Sequence, residues 1–190
     1  MKKTEKPETK VYFIRHGESE PPVEGIINHY PKLTPLGENQ ARNIARELLK
    51  IKQDVHKIYT SDLSRALETA RIIGRKLGKE PEIKEEFREL NKIFTHKSIF
   101  HPRFIKYFKS YKKACRLFDK ILAENEGRTL LFVIHGRRII SLIGYKLGLS
   151  RKQMEKTISL GNCHISELVF EGTKLHKLRC LNRTTLLDYP

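Results

Sequence analysis

An apolar run, Val11-Tyr12-Phe13-Ile14, passes directly into Arg15-His16-Gly17-Glu18-Ser19. Such a run, followed by glycine and polar residues, reads as a buried strand with a turn at its carboxyl end. Thr129-Leu130-Leu131-Phe132-Val133-Ile134 is the most apolar run in the chain, and it too ends in His-Gly, at His135-Gly136. Its continuity predicts a central strand covered on both faces. In open α/β sheets, ligands bind in the crevice outside the carboxyl ends of the strands. Two buried strands that each stop at a histidine therefore put both imidazoles where such a fold does its chemistry.

Arg15-His16-Gly17 has a specific chemical logic. Neutral imidazole is a nucleophile near pH 7, because its ordinary pKa is about 6.5. Arginine stays charged and offers a planar fork that matches phosphate oxygens. Gly17 lets the backbone approach a bound anion. Together they suggest attack by a histidine on a phosphoryl group held by arginine. The tripeptide by itself is equally compatible with a surface turn carrying incidental basic residues.

With 190 residues, the chain reads as one domain, 1–190, large enough for a substantial core. Its 38% apolar and 32% charged residues exclude the disordered classes, and no run is long and apolar enough to span a bilayer. Residues 1–9 read as a frayed, charged tail without the apolar segment of a signal peptide. Cys115, Cys163 and Cys180 have neither metal-site nor disulfide-framework spacing, so they read as free thiols in a reducing cytoplasm. The formal charge of +16 favours anionic partners. It does not choose between phosphorylated metabolites and nucleic acid, but no RNA-binding or zinc-finger motif is present.

Along the chain, Lys10 to Ile14 is a strand and Glu18 to Lys32 an irregular loop interrupted by Pro21-Pro22. Thr34-Pro35 opens a helix to about Lys50, with Ile44, Ala45 and Leu48 on one face. Lys57 to Thr60 is a second strand. Ser61 reads as the cap of a helix from Asp62 to Leu77, with Arg65 on its first turn, where unpaired amides favour anions. Glu82 to Lys84 is a short strand. Pro102 opens a helix to about Asn125 with a core stripe of Phe104, Phe108, Tyr111, Cys115, Phe118 and Leu122. Lys106, Lys109, Lys112, Lys113 and Arg116 lie on its opposite face. A helix from Arg137 to Leu147 follows the second His-Gly, Ser150 caps a short helix, and 164–170 with 174–181 form a hairpin.

Four motifs now share one order: Arg15-His16-Gly17-Glu18-Ser19, Leu33 to Ala41, Thr60 to Ala70, and Val133-Ile134-His135-Gly136. In this order they resemble the histidine phosphatase superfamily, also called the phosphoglycerate-mutase-like family, over nearly the whole chain. The resemblance implies a three-layer α/β/α sandwich with a mostly parallel central sheet. It also implies metal-free, cofactor-free phosphoryl transfer to a small phosphorylated substrate, with His16 as nucleophile. Arg15, Arg65 and His135 would cradle the phosphoryl oxygens. Glu89, in Phe87-Arg88-Glu89, would be the general acid, with Glu86 as the other candidate. Gly17, Ser19, Asn28, Gly136, Arg137 and Arg138 would bind substrate, Asn28 standing in for an asparagine that Pro21-Pro22 displaces. Arg137 and Arg138 would meet a second anionic group or turn to solvent. Residues 92–113 would form a cap. A homodimer is the assembly the family implies, and membrane association is not expected. Hydrolysis is favoured over mutase chemistry because the chain ends soon after its last hairpin. A non-catalytic relative that binds RNA is the remaining alternative.

Overall fold

The computed structural model describes residues 7–21, 31–89, 102–149, 153–154 and 158–186. The order of elements is β1 (Glu8–Arg15), α1 (Pro35–Glu47), β2 (Val55–Thr60), α2 (Ser64–Leu77), β3 (Pro81–Ile83), α3 (Pro102–Glu124), β4 (Thr129–Ile134), α4 (Gly136–Leu147), β5 (Ile165–Glu171) and β6 (Lys174–Arg183). Short 3₁₀ turns follow α1 at Leu48–Ile51 and precede Glu89 at Glu85–Phe87.

One six-stranded sheet has the order β3-β2-β4-β1-β5-β6. β3, β2, β4 and β1 are parallel, and the β5–β6 hairpin adds two antiparallel strands. β4 is buried at all six positions, as its unbroken apolar run predicts for a strand covered on both faces. Period-two alternation then sorts β1. Val11 and Phe13 pack with Phe118, Leu122, Phe132, Ile139 and Ile143 under α3 and α4. Tyr12 and Ile14 pack with Ile44, Leu48, Ile58, Ile73 and Leu77 under α1 and α2. The result is three layers, α/β/α, with a mixed sheet. Phe132 is the centre of an aromatic cluster, its ring 5.1–5.4 Å from those of Phe13, Tyr59, Phe87 and Phe118.

Several boundaries differ from the sequence reading. Glu8 and Thr9 belong to β1 rather than to a tail. Thr9 is fully buried, and its hydroxyl accepts the Gly127 amide at 2.9 Å, so side-chain packing extends the strand backwards. α2 begins at Ser64, not Asp62. Ser61 is not its cap, because the Ser61 hydroxyl is committed to a histidine described below. The lysine-rich face of α3 points to solvent: Lys106, Lys109, Lys112, Lys113 and Arg116 are all exposed. Phe108 is exposed too, beneath the Lys112 ammonium, and so leaves the predicted core stripe, which holds at Tyr111, Cys115, Phe118 and Leu122. Asn28, Ser150, residues 1–6 and residues 92–101 of the expected cap lie outside the described residues.

Candidate active site

Sheet register assembles the site. β1 pairs with β4 so that Arg15 lies opposite Ile134, and the His16 amide donates to the Ile134 carbonyl at 2.9 Å. The next residue on each strand is a histidine, and the two rings come to rest 5.2 Å apart in an edge-on arrangement. On the other side of β4, Thr60 of β2 pairs with Val133, which brings Ser61 beside His135. The Ser61 hydroxyl and His135 Nε2 are 2.7 Å apart, both groups fully buried. His135 Nδ1 is also buried, with no hydrogen-bond partner among the described residues.

The tautomer of His16 follows from its partners. Nδ1 lies 2.7 Å from the Gly17 carbonyl, which can only accept, so Nδ1 carries the proton. Arg65 Nε–H donates to Nε2 at 3.1 Å, so Nε2 carries the lone pair. Burial pushes His16 down to about 3. Its hydrogen bond to Gly17 opposes that shift, and the neighbouring Arg65 and Arg15 add to it. His135 is likewise held well below its ordinary value, mainly by burial and then by His16, Arg65, Arg138 and Arg15. Both imidazoles are therefore neutral at pH 7.

This has a consequence for stability. Each histidine binds a proton in the unfolded chain below pH 6.5 but not in the folded one. The unfolded state gains protons as pH falls, so stability is full above about 6.5 and is lost on acidification. Between pH 6.5 and 5 the loss from His16 approaches about 2 kcal/mol, and His135 adds to it in the same direction. Urea unfolding at pH 7 and pH 5 measures it. A pH-independent midpoint would mean that the folded protein admits protons to both rings.

Arg15 and Arg65 flank the pair. Arg15 Nη1 donates to the Leu160 carbonyl at 2.5 Å, which fixes its guanidinium against the loop before β5. Arg15 also passes over the start of α4, where a Cβ on Gly136 would make ordinary contact with its Cδ at 3.4 Å. Burial lowers the pKa of both arginines, and Glu89 acts in the opposite direction on both. Glu89, partly buried, thus lies within electrostatic reach of both guanidiniums, whereas Glu86 is exposed. Arg137 is partly buried and close enough to Arg15 to lower its pKa further.

The turn at Gly17–Ser19 is braced from α1 and α2. Thr34 caps α1 by accepting the Gly37 amide at 3.0 Å, and its hydroxyl donates to Glu18 Oε1 at 3.0 Å. Gln40 Oε1 accepts the Glu18 amide at 2.8 Å. Ser19 bridges to Leu33, and Glu68 Oε2 accepts the Leu33 amide at 2.9 Å. Thr69, one turn beyond Arg65, accepts the Gly17 amide at 3.0 Å. Gly17 also meets a packing requirement that its motif did not suggest. A Cβ there would lie 2.5 Å from the Gly37 carbonyl oxygen, so glycine serves backbone packing.

One sequence expectation changes. Arg138 neither faces an open site nor solvent. It is fully buried, with Nε donating to the Arg88 carbonyl and Nη2 to Ser110, both at 3.0 Å. Arg88 in turn is paired with Asp62. Ser61, Thr69 and the Asp62–Arg88 pair were not singled out as site residues. For Thr69 the signal was present: it lies four residues after Arg65, hence on the same helix face.

Among the described residues, no group of three or more His, Cys, Asp or Glu side chains is arranged to hold a metal ion, and no helix is long and apolar enough to cross a membrane.

A family model described as histidine phosphatase superfamily (branch 1) matches residues 11–92 and 106–183. A relative in Hydrogenobacter thermophilus, named "Putative phosphoserine phosphatase 2", is 29% identical over 188 residues, 87% of this chain and 91% of its own. Phosphoglycerate mutase-like protein 4 of Arabidopsis thaliana is 28% identical over 161 residues, 70% of this chain and 69% of that relative. Among solved structures, a mutant phosphoserine phosphatase from Entamoeba histolytica in complex with phosphoserine matches with a TM-score of 0.73 at 28% identity. The match covers 93% of this chain and 98% of that one. A structure of that phosphatase in complex with 3-phosphoglyceric acid matches with a TM-score of 0.72. With its motifs, sheet order and paired histidines in agreement, the chain belongs to the histidine phosphatase superfamily.

Proposed function

We propose that the chain hydrolyses phosphomonoesters of small anionic metabolites through a phosphohistidine on His16. Its family and its phosphoserine phosphatase relatives support a phosphatase. The observation that carries the mechanism is the His16 tautomer: a neutral ring with Nδ1 bound to a carbonyl and the Nε2 lone pair facing Arg65. Nε2 attacks phosphorus as the ester P–O bond breaks. Arg15, Arg65 and the free Nδ1 of His135 stabilise charge on the transferring oxygens. Glu89 gives its proton to the leaving oxygen, then takes one from the water that attacks the phosphohistidine. Phosphate departs and Nε2 regains its lone pair. No step requires a metal.

The two ligands in the Entamoeba structures each join a phosphate to a carboxylate. Arg137, beside Arg15, suits a second anionic group of that kind. The three free thiols fit a reducing compartment such as the cytoplasm. Burial pushes Cys115 up to about 11 and Cys163 up to about 12, so both stay protonated.

The test pairs two substrates of one shape. Wild-type enzyme in chelator should hydrolyse phenyl and p-nitrophenyl phosphate, and acid-labile, alkali-stable phosphate should be trapped on the protein by rapid quench. Glu89→Gln should lower kcat/KM for phenyl phosphate by about 10²–10³ and for the nitro compound, whose leaving group needs no proton in the phosphorylation step that kcat/KM reports, far less. Phosphoserine and 3-phosphoglycerate are then compared. Phosphate transfer to another metabolite instead of water would make it a mutase. RNA binding at moderate salt without turnover would make it a binding module.

A further inference from the structure

Arg138 is the largest fully buried side chain among the described residues, and it is a cation. It stands in the first turn of α4, next to a second arginine, where the helix dipole already repels positive charge. A buried guanidinium placed there is costly unless its donors are used. Nε and Nη2 reach two different elements. Nε donates to the carbonyl of Arg88, and Nη2 donates to the hydroxyl of Ser110 on α3. The Arg88 carbonyl belongs to the peptide bond that leads into Glu89. Arg88 itself closes the arrangement from the other side, because its guanidinium pairs with Asp62, adjacent to the Ser61 that holds His135.

We propose that Arg138 is a positioning residue for Glu89. It fixes the 88–89 peptide relative to His135, three residues earlier on the same segment, so that the acid keeps one distance from the imidazoles. No contact between Arg138 and substrate is involved. This inference rests on the reading of Glu89 as general acid, and a different outcome of the experiment overturns each.

The experiment uses phenyl and p-nitrophenyl phosphate with Arg138→Met, which removes the donors while filling the buried volume, and Arg138→Lys, which keeps charge but loses the fork. Both variants should lower kcat/KM for phenyl phosphate by about tenfold, the scale of a slightly misplaced catalytic group. Their loss of kcat/KM on p-nitrophenyl phosphate should stay within about twofold, because the phosphorylation step that sets kcat/KM does not need the acid for that leaving group. In a Glu89→Gln background, Arg138→Met should cause no further loss on phenyl phosphate, since the group it positions is gone. Should the Arg138 variants fail to fold, Ser110→Ala carries the same test: it frees one prong and should show the same substrate-selective loss at about threefold. Equal losses on both substrates, no loss, or full additivity with Glu89→Gln would overturn the inference. If Glu89→Gln alone does not separate the two substrates, the acid assignment itself fails, and the positioning role falls with it.

Discussion

Replacing His16 by alanine is expected to lower phosphomonoester hydrolysis by about four orders of magnitude or more, as removal of a covalent nucleophile does. Trapped phosphate on the protein should disappear with it. The fold should persist, because the imidazole is held by one carbonyl and one arginine and not by the core clusters. A second signature separates this loss from general damage. The folded state holds His16 neutral down to about pH 3, so His16, like His135, makes the protein sensitive to acid. Removing it should reduce the fall in stability below pH 6.5 by up to about 1.4 kcal/mol per pH unit. Urea midpoints for wild type and His16→Ala at pH 7 and pH 5 measure that difference beside the activity assay. Retained turnover with a vanished phosphoprotein would relocate the nucleophile. Retained turnover with unchanged acid sensitivity would contradict both the tautomer and the burial.

The largest expected effect on stability is at Gly37. A Cβ there would lie 1.9 Å from the Glu18 carbonyl oxygen and 2.8 Å from the Glu18 carbonyl carbon and amide nitrogen. These are backbone atoms, held by Thr34 and Gln40, so nothing flexible can yield. Gly37→Ala is expected to cost about 3 kcal/mol or more, at the upper end of overpacking. It should also abolish turnover, because relief of the clash moves Gly17 and Glu18, and the Gly17 carbonyl sets the His16 tautomer. Gly78 gives the contrast. A Cβ there meets nothing, but φ is 72°, so Gly78→Ala should cost only about 1–2 kcal/mol from left-handed backbone strain and leave kcat intact. Denaturation midpoints and kcat for the two variants together test whether the steric contact or the backbone conformation is decisive. Equal costs would contradict the packing described here.

Much of the layer structure was legible because burial imposes a period. Thr129 to Ile134 is the strand its apolar run predicts, and Ile44, Ala45 and Leu48 form the buried stripe of the first helix. Arg15, His16, Arg65 and His135 could be picked out because each stands at the end of a strand or the start of a helix, where an α/β sheet opens its crevice. Periodicity reports which face of an element is covered, but not which element covers it. It was silent on β4 lying between β1 and β2, an order that puts Ser61 beside His135.

The linear code therefore determined the elements, their buried faces and the four charged or nucleophilic groups at their ends. Those depend on local pattern, which a single pass along the chain contains. Only the tertiary structure decided what each group touches. Gly17 and Gly37 proved to be in close backbone contact, and Thr69 proved to brace the turn from α2. Arg138 proved to be a buried tie between α4, α3 and the peptide before Glu89. Distances between segments far apart in the chain are set by sheet order and register. An arginine after a His-Gly looks the same in sequence whether its fork meets a phosphate, water or a carbonyl inside the protein.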